Sequence, residues 1–285
     1  MDSGLGNTSA FRDLNDKVCV LTGGGGVIGR ALAGALGSVG VRVAVVDLFP
    51  KAAADVADAV AREHEVSALG VGGNVLDRDS LTEAKRRINE TFGQIDLLVN
   101  CAGGNSPQAT TRSEYLDPAN LDAGFYGLDL DGFRKVFDLN FLGTVLPTMI
   151  FTRDMVAGRS GAVLNISSMN SFRPLTKIPA YSAAKASINN FTQWLAVHLA
   201  NANIRVNAIA PGFFLTQQNR FLLTDEQTGE LTPRGRRILS LTPSGRFGCL
   251  DDLQGPALFF LSNLSRFITG VVLPVDGGFN AYSGV

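Results

Sequence analysis

The sequence predicts an α/β protein with a single doubly wound domain, in which about seven parallel strands carry helices on both faces. Three observations predict this fold. Short apolar runs without polar alternation, typical of strands buried on both faces, recur along the chain. Longer segments with helical spacing separate them, and such alternation specifies right-handed crossovers and a parallel sheet. Hydrophobic residues make up 45% and charged residues 18% of the 285 positions, which suits one large core.

The predicted strands follow one another in a regular series. They are KVCVLT (17–22), VRVAVVD (41–47), SALGVGGNV (67–75), QIDLLVNCAG (94–103), GAVLNISS (161–168), IRVNAIAPG (204–212) and GVVLPVDGG (270–278). Helical segments follow the first five of them, and these begin VIGRALAGALG, PKAAADVADAV, DRDSLTEAKRR, DGFRKVFDLNF and PAYSAAKASINNF. Since no internal repeat or low-complexity linker interrupts the series, we expect one domain over 11–285 after a flexible tail at 1–10.

Two connections are longer than is usual between strands and helices. The first covers 104–130, after the fourth strand, and the second covers about 213–248, after the sixth. Loops that leave the carboxyl ends of parallel strands surround the ligand crevice of an open sheet. Both segments are compatible with plain surface insertions, but we favour a substrate wall for the first and a substrate lid for the second.

The bulk composition excludes several classes of function. A net charge of −1 provides no field for nucleic acid or for an anionic membrane, and no apolar run approaches the ~20 residues of a membrane-spanning helix. The three cysteines are scattered along the chain. Cys19 and Cys101 have no CxxC spacing and no histidine neighbour, so we expect both to be buried small side chains and expect no metal site. The polar N-terminus has no apolar leader segment, and we expect a soluble, cytoplasmic protein.

A glycine-rich turn between the first strand and the first helix points to a nucleotide site. Gly24, Gly26 and Gly29 fit the spacing G-x-G-x-x-G, in which glycines allow a tight turn and let pyrophosphate approach a helix N-terminus. The second strand ends in Asp47, near the spacing expected for the acid that holds the ribose hydroxyls of NAD in a Rossmann-type fold. A carboxylate repels a 2′-phosphate, so the sequence favours NAD over NADP. Asp47 is also placed to cap the following helix.

The stretch PAYSAAK puts a phenol and an ammonium group on one face of a helix. Tyr181 and Lys185 are four residues apart, which is about one helical turn, and Ser168 ends the fifth strand 13 residues before the tyrosine. A phenol is a poor base near neutral pH unless positive charge stabilises its anion. Lys185 supplies that charge, together with the nicotinamide of an oxidised cofactor. These three residues together predict proton transfer between Tyr181 and the oxygen of an alcohol or ketone, with Ser168 holding that oxygen in place.

These motifs resemble the classical short-chain dehydrogenase/reductase family. Its Asn, Ser, Tyr-x-x-x-Lys pattern maps onto Asn140, Ser168, Tyr181 and Lys185, while NCAGG (100–104) and APGFFLT (210–216) are similar to its other cofactor motifs. The resemblance implies hydride transfer with Tyr181 as acid/base, Lys185 on the nicotinamide ribose and Asn140 anchoring a proton-relay water. It implies that the cofactor contacts Gly23, Gly25, Gly26, Val27, Ile28, Gly29, Asp47, Leu48, Asn74, Val75, Asn100, Ala102, Gly103, Tyr181, Lys185, Pro211, Gly212, Phe214 and Thr216.

Two positions depart from the family pattern. Val27 stands where the family has the middle glycine of its turn, and Asn74 stands where an acid usually contacts adenine. Gly26 can compensate for the first change. An amide can still bond the adenine edge, so we keep Asn74 and Val75 in the expected cofactor site.

Polar and basic residues are dense on the segments that leave the predicted carboxyl edge of the sheet. Guanidinium, ammonium and amide groups suit a polyol that carries a carboxylate, although solvated loops have a similar composition. NCAGGN, SSMNSFRPLTKIPAYSAAKA and VDGGFNAYSGV resemble the mannonate/fructuronate oxidoreductase branch, which implies D-mannonate and D-fructuronate as substrates. The expected substrate contacts are Asn105, Asn170, Arg173, Lys177, Gln217 and Arg220.

Other interpretations stay open at this point. Within the family, the protein could be a gluconate 5-dehydrogenase, another sugar or polyol dehydrogenase, or a 3-oxoacyl reductase. A regulator that senses NAD(H) without catalysis would be expected to lack part of the tetrad, and all four residues are present. The family resemblance implies a homo-oligomer, a tetramer or a dimer, and the apolar stretches 133–151 and 191–200 suit such packing.

Overall fold

The computed structural model describes residues 8–216, 219–225 and 227–284, and one parallel sheet runs through it. Its order is β3-β2-β1-β4-β5-β6-β7, and every neighbouring pair is parallel. The strands are β1 (Val18–Thr22), β2 (Arg42–Asp47), β3 (Ala68–Gly72), β4 (Leu97–Asn100), β5 (Gly161–Ile166), β6 (Ile204–Pro211) and β7 (Val272–Val275). Each lies within a segment predicted from its apolar run, so the α/β fold with a doubly wound parallel sheet is confirmed.

The helices cover both faces of this sheet. They are α1 (Val27–Ser38), α2 (Pro50–His64), α3 (Arg78–Phe92), α4 (Leu130–Phe137), α5 (Gly143–Gly158), α6 (Pro179–Leu199), α7 (Arg220–Leu223), α8 (Pro233–Ser240) and α9 (Gln254–Leu261). Alternate side chains of β1 pack into hydrophobic cores on opposite faces of the sheet. Cys19 and Leu21 pack with α1, α2 and α9, whereas Val18 and Val20 pack with α3, α5 and α6. Burial on both faces explains why the strands lack polar alternation.

The chain reverses its direction of winding between β1 and β4. From β1 the sheet grows to one side through β2 and β3, and to the other side through β4 and β5. Such a switch point leaves a crevice at the carboxyl ends of the strands, where the chain turns away in opposite directions. The crevice is therefore a consequence of strand order, and the connections after β1, β4, β5 and β6 all begin beside it.

The two long connections contact one another outside the sheet. The connection 104–130 contains short 3-10 turns and is tied to the segment after β5 by a bond from Lys177 Nζ to the Arg112 carbonyl (2.9 Å). The connection 213–248 contains α7 and α8, and its ends are joined by a bridge between Phe214 and Gly248. Arg237 on α8 forms an ion pair with Glu114 in the first connection (3.2 Å).

The N-terminal end of the predicted domain packs against the core of the sheet. Of the predicted tail 1–10, residues 1–7 lie outside the described residues, and a 3-10 helix, Thr8–Leu14, follows them. Leu14 is buried in the core beside α1. Within the described ranges, no helix is both long and apolar enough to cross a membrane.

Candidate active site

A cavity of about 560 Å³ lies at the carboxyl ends of the strands around the switch point. Nearly all the residues predicted to contact a cofactor line it; among them, Gly25 and Asn100 lie outside the lining. Ser168, Tyr181 and Lys185 line it as well. Asn140 is not a lining residue, but it directly follows the lining residue Leu139 in the sequence. A single cavity thus joins the glycine turn to the predicted catalytic group.

The glycine turn is shaped by close backbone contacts. Gly23 has a φ of +63°, and a Cβ at this position would lie 2.6 Å from the Cα of Ala102. A Cβ on Gly29 would lie 2.4 Å from the Gly23 carbonyl oxygen. No side chain caps the N-terminus of α1, so the first backbone N–H groups after Gly26 remain available to a ligand. These features suit an anionic group at the helix N-terminus.

Asp47 closes the far end of the cavity at the end of β2. Its Oδ2 accepts a hydrogen bond from the Gly25 N–H (2.9 Å), and its Oδ1 accepts one from the Phe49 N–H (3.0 Å). Gly25 therefore supports the carboxylate from outside the cavity lining. Asn100 has a comparable supporting position: it is buried, and its amide donates to Thr148 and to Asn165, each at 2.9 Å.

Asn74 and Val75, at the end of β3, line the cavity beside Asp47. The Asn74 Oδ1 accepts a bond from the Leu76 N–H (3.0 Å), and the Asn74 N–H donates to Ser80 Oγ (3.0 Å). Val75 is buried against this turn. The side-chain oxygen of Asn74 is thus used in shaping the loop, in the manner of an Asx turn.

Ser168 and Tyr181 face each other across the cavity floor. Ser168 follows β5, and its Oγ accepts a bond from the Asn170 N–H (3.2 Å); hydrogen bonding by the same side chain lowers the pKa of the Tyr181 phenol. Tyr181 lies in the first turn of α6, which begins at Pro179 because proline suits a position where no helical N–H bond is needed. The strand end and the helix start therefore bring together two residues that are 13 positions apart.

Lys185 is 3% exposed and lies one turn after Tyr181 on α6. Its Nζ donates to the Ile166 carbonyl at the end of β5 (2.8 Å) and lies 5.6 Å from the centre of the Tyr181 ring. Burial lowers the pKa of Lys185 from its ordinary value of 10.5 to about 8. A lysine with such a pKa can exchange a proton near neutral pH, which an exposed lysine does not do.

The pKa of the Tyr181 phenol moves in the opposite direction. Burial raises this pKa above its ordinary value, and the hydrogen bond from Ser168 partly offsets the rise. Without a ligand, the phenol is therefore protonated at neutral pH. It is set to donate a proton to a ketone oxygen, and it needs added positive charge to act as a base.

Asn140 lies in a π-helical turn, Asp138–Leu142, between α4 and α5. It is fully buried, and its Nδ2 donates to the carbonyls of Gly104 and Val136, both at 2.7 Å, while its Oδ1 accepts from the Gly104 N–H (3.2 Å). The Asn140 side chain thus holds the segment after β4 in place. A Cβ on Gly103 would lie 2.6 Å from Asn140 Oδ1 and 3.4 Å from Lys185 Nζ, so both groups crowd this segment.

The predicted substrate residues lie outside the cavity lining as the structure describes it. Arg173 donates to the Tyr282 carbonyl (2.7 Å), Lys177 to the Arg112 carbonyl, and Asn105 Nδ2 to Thr110 Oγ1 (3.1 Å). Contacts with distant loops therefore hold Arg173 and Lys177, and a contact within its own connection holds Asn105. Asn170 is buried within the turn that follows Ser168, Arg220 is exposed at the start of α7, and Gln217 falls outside the described residues.

Several lining residues were absent from the prediction. Asn219 lines the cavity, accepts from the Thr216 N–H (2.8 Å) and donates to the Phe214 carbonyl (2.7 Å), so it folds the segment that follows β6. Cys101 also lines the cavity, and burial raises its pKa to about 12. The remaining lining residues that were not predicted each lie within two positions of a predicted one, and this is the signal that could have identified them: Phe49, Gly73, Gly104, Leu139, Ile166 and Ser167. Within the described residues, no cluster of three or more His, Cys, Asp or Glu side chains could hold a metal ion.

Comparison with known proteins identifies the family. The sequence profile described as short chain dehydrogenase matches residues 17–227. The chain belongs to the short-chain dehydrogenase family. It is 47% identical to an uncharacterized oxidoreductase of Haemophilus influenzae over 98% of both chains, and 46% identical to the uncharacterized oxidoreductase UxuB of Bacillus subtilis over 96% of this chain and 98% of that protein.

A solved structure extends the likeness to three dimensions. A provisionally assigned D-mannonate oxidoreductase from Haemophilus influenzae, crystallised with bound NAD, has a TM-score of 0.91 and 46% identity. The match covers 98% of this chain and all of that one. This dehydrogenase therefore shares its fold and nearly its whole length with a protein that holds NAD.

Proposed function

We propose that this dehydrogenase is an NAD-dependent oxidoreductase that interconverts a secondary alcohol and a ketone of a sugar acid, D-mannonate and D-fructuronate. The observation that carries the proposal is the single cavity in which Ser168, Tyr181 and Lys185 face a glycine turn and an acidic strand end. The related structure with bound NAD supports the choice of cofactor, and its provisional assignment supports the choice of substrate.

The residues of the cavity fit a dinucleotide with a free ribose diol. The uncapped N-terminus of α1 offers N–H donors to a pyrophosphate, and the glycines beside it have no room for side chains. Asp47 offers carboxylate oxygens to the two ribose hydroxyls and repels a 2′-phosphate. Among the lining residues that the structure describes, Lys185 is the one cation, so no basic group offsets that repulsion.

Three side chains of the protein have separate roles in the proposed proton transfer. Bound NAD would accept a hydride from the substrate carbon, or return one to it, at the nicotinamide ring. Ser168 holds the substrate oxygen, and Tyr181 removes the proton from that oxygen in oxidation or returns it in reduction. Lys185 stabilises the phenolate with its positive charge, and its lowered pKa lets it exchange the proton onward near neutral pH.

The substrate carboxylate needs a cation near the mouth of the cavity. Arg173 and Lys177 each donate to a backbone carbonyl outside the lining, whereas Arg220 directly follows the lining residue Asn219. We therefore assign the carboxylate contact to Arg220 among the three candidates, because a guanidinium pairs with a carboxylate through two parallel bonds. In this proposal, the segment 213–248 is the lid that brings Arg220 over the substrate.

The substrate assignment predicts selective oxidation of D-mannonate. NADH formation from D-mannonate should exceed that from D-gluconate in kcat/KM by at least about tenfold, because a site built for specific hydroxyl positions leaves polar groups unpaired with the wrong isomer. The test is an initial-rate panel of sugar acids, simple secondary alcohols and a 3-oxoacyl thioester, each with NAD or NADP. Turnover of gluconate but not D-mannonate would overturn the substrate assignment, and NADH binding without turnover of any compound would instead indicate a nucleotide sensor.

Asp47 predicts the preference for NAD over NADP. Replacing Asp47 with Asn keeps the shape of the side chain but removes the charge that repels a 2′-phosphate, so the ratio of kcat/KM for NAD to that for NADP should fall by roughly tenfold or more. Steady-state kinetics with both cofactors measure this ratio. The matched control is Asp55→Asn on α2, whose carboxylate pairs with Lys51 at the surface (2.8 Å). An unchanged ratio in Asp47→Asn would exclude charge at this position as the basis of the preference.

We also propose that the protein is a homo-oligomer. Large apolar side chains are exposed on two neighbouring helices: Met149 on α5 is 52% exposed, and Trp194 and Val197 on α6 are 57% and 80% exposed. Trp194 stacks between Phe191 and His198, which gives this face a rigid aromatic surface. A second copy of the chain would bury these side chains.

A further inference from the structure

A group of three polar side chains flanks Ser168 and connects the end of β5 to α6. Ser167 precedes the catalytic serine, Ser171 ends the 3-10 turn that follows it, and Asn189 lies on α6. Ser167 is 2% exposed, and the other two are half-buried. We refer to these three residues as the Asn189 bridge.

Short hydrogen bonds connect the three side chains of the Asn189 bridge to one another and to Ser168. Ser167 Oγ donates to Asn189 Oδ1 (2.5 Å), and Asn189 Nδ2 donates to Ser171 Oγ (2.8 Å). Ser171 Oγ donates in turn to the carbonyl of Ser168 itself (2.5 Å). Both ends of the Asn189 amide are therefore used, and each of them reaches a residue that flanks or holds Ser168.

The position of Asn189 on α6 relates these bonds to the catalytic group. Tyr181, Lys185 and Asn189 are spaced by four residues, so they follow one stripe of the helix toward its C-terminus. Lys185 already joins this stripe to β5 through the bond from its Nζ to the Ile166 carbonyl. Asn189 adds a second connection one turn further on, to Ser167, which directly follows Ile166, and to Ser171.

Helix packing alone does not require an asparagine here. Asparagine is a poor helix former, and a half-buried amide is costly unless it is paired. The buried residues Leu195 and Ala196, with the partly buried Phe191, pack α6 against the core on this face of the sheet. The amide of Asn189 adds a directional constraint. Its two hydrogen bonds hold the turn after β5, which carries Ser168, at one position along α6.

We propose that Asn189, acting through Ser167 and Ser171, is a positioning residue that holds the Ser168 hydroxyl in place against the Tyr181 phenol. The inference rests on the proposed function, in which Tyr181 is the acid/base. Proton transfer is sensitive to such placement, because a displacement of about 1 Å at a reacting group can cost on the order of 100-fold in rate.

The bridge has a consequence for the ionisation of Tyr181. The Ser168 hydrogen bond lowers the pKa of Tyr181 against the effect of burial, so loss of the correct placement should raise that pKa further. The titratable groups that face the phenol are Lys185 on the same helix and Cys101 at the end of β4. Neither titratable side chain is part of the bridge, whose contact with Lys185 is a long bond from Ser167 Oγ to the backbone carbonyl (3.4 Å). The two titratable groups should therefore stay in place when Asn189 is replaced.

The test compares Asn189→Leu and Ser171→Ala with the wild-type protein. Each should lower kcat by about 10- to 100-fold, leave the Kd for NADH within about twofold, and shift the pH profile of alcohol oxidation toward higher pH. Ser171→Thr, which keeps the hydroxyl, should retain most of the wild-type kcat. Asn190→Ala, at the exposed next position of α6, is the matched control and should change none of these quantities.

A second readout does not depend on turnover. The phenolate absorbance of Tyr181, isolated by subtracting the Tyr181→Phe titration, should appear at higher pH in Asn189→Leu than in the wild type. An unchanged phenol titration and kcat in Asn189→Leu would overturn the inference, as would a parallel loss of kcat, NADH affinity and thermal stability in both bridge variants. If the wild-type protein oxidises no alcohol, the proposed function fails, and the phenol titration still decides whether Asn189 positions Ser168.

Discussion

Tyr181→Phe is expected to lower kcat for alcohol oxidation by about 10³-fold, within the range that a positioned acid/base contributes. Hydrogen bonding by Ser168 lowers the pKa of the phenol, and the Lys185 Nζ lies 5.6 Å from the centre of its ring. Phenylalanine preserves the ring and removes the group that carries the proton. Nothing in the glycine turn or at Asp47 depends on that hydroxyl. The Kd for NADH, measured by fluorescence titration, should therefore stay within about threefold of the wild-type value.

Tyr115→Phe provides the control for this variant. Tyr115 lies in the connection 104–130 and is 81% exposed, so removal of its hydroxyl should alter neither kcat nor NADH affinity. Near-normal oxidation by Tyr181→Phe would exclude the phenol as the acid/base. A large loss of NADH affinity in the same variant would show instead that Tyr181 acts mainly in cofactor binding.

The fold could be predicted because a parallel sheet leaves a strong pattern in the sequence. Strands such as Val18–Thr22 and Arg42–Asp47 are covered on both faces, so they are continuous apolar runs that no amphipathic helix would show. The ends of the predicted strands were less accurate. The run 94–103 contains only Leu97–Asn100 as a strand, because the following residues turn toward the cavity and pair with Thr22 and Asn140.

The candidate site was predictable where the chemistry depends on local spacing. One helical turn joins Tyr181 to Lys185, and the glycine turn is a contiguous segment, so both are visible in the sequence. The Asn189 bridge could not be seen, because it depends on how α6 lies against β5. The polar loop residues are similar in this respect: Arg173 bonds to the carbonyl of Tyr282, 109 positions later, and no local pattern indicates that contact.

Lys185→Met is expected to abolish oxidation and, at the same time, to stabilise the cofactor-free protein. Burial lowers the pKa of Lys185 from 10.5 to about 8, so the folded state holds this proton less tightly than the unfolded chain. At pH 7 that difference costs the wild type about 3 kcal/mol. Methionine removes the cost but leaves the Ile166 carbonyl without its partner, which costs about 1 kcal/mol. The net gain should be about 2 kcal/mol.

The pH dependence separates this effect from ordinary packing. Below pH 8, Lys185 is protonated in both the folded and the unfolded wild type, and burial of the ammonium lowers the free energy of unfolding by its full amount. Between pH 8 and 10.5 the folded protein loses this proton first, so the destabilisation disappears. The advantage of Lys185→Met in urea unfolding should therefore shrink steadily across this window. Lys51→Met, at an exposed lysine of α2, should show no such trend. If Lys185→Met is less stable than the wild type by the same amount at pH 7 and at pH 10.5, then burial of the ammonium costs this protein no stability, and the lysine is a structural residue. If the stability advantage of Lys185→Met instead decreases with pH as expected, the fold gives up stability to keep a readily ionised group beside Tyr181.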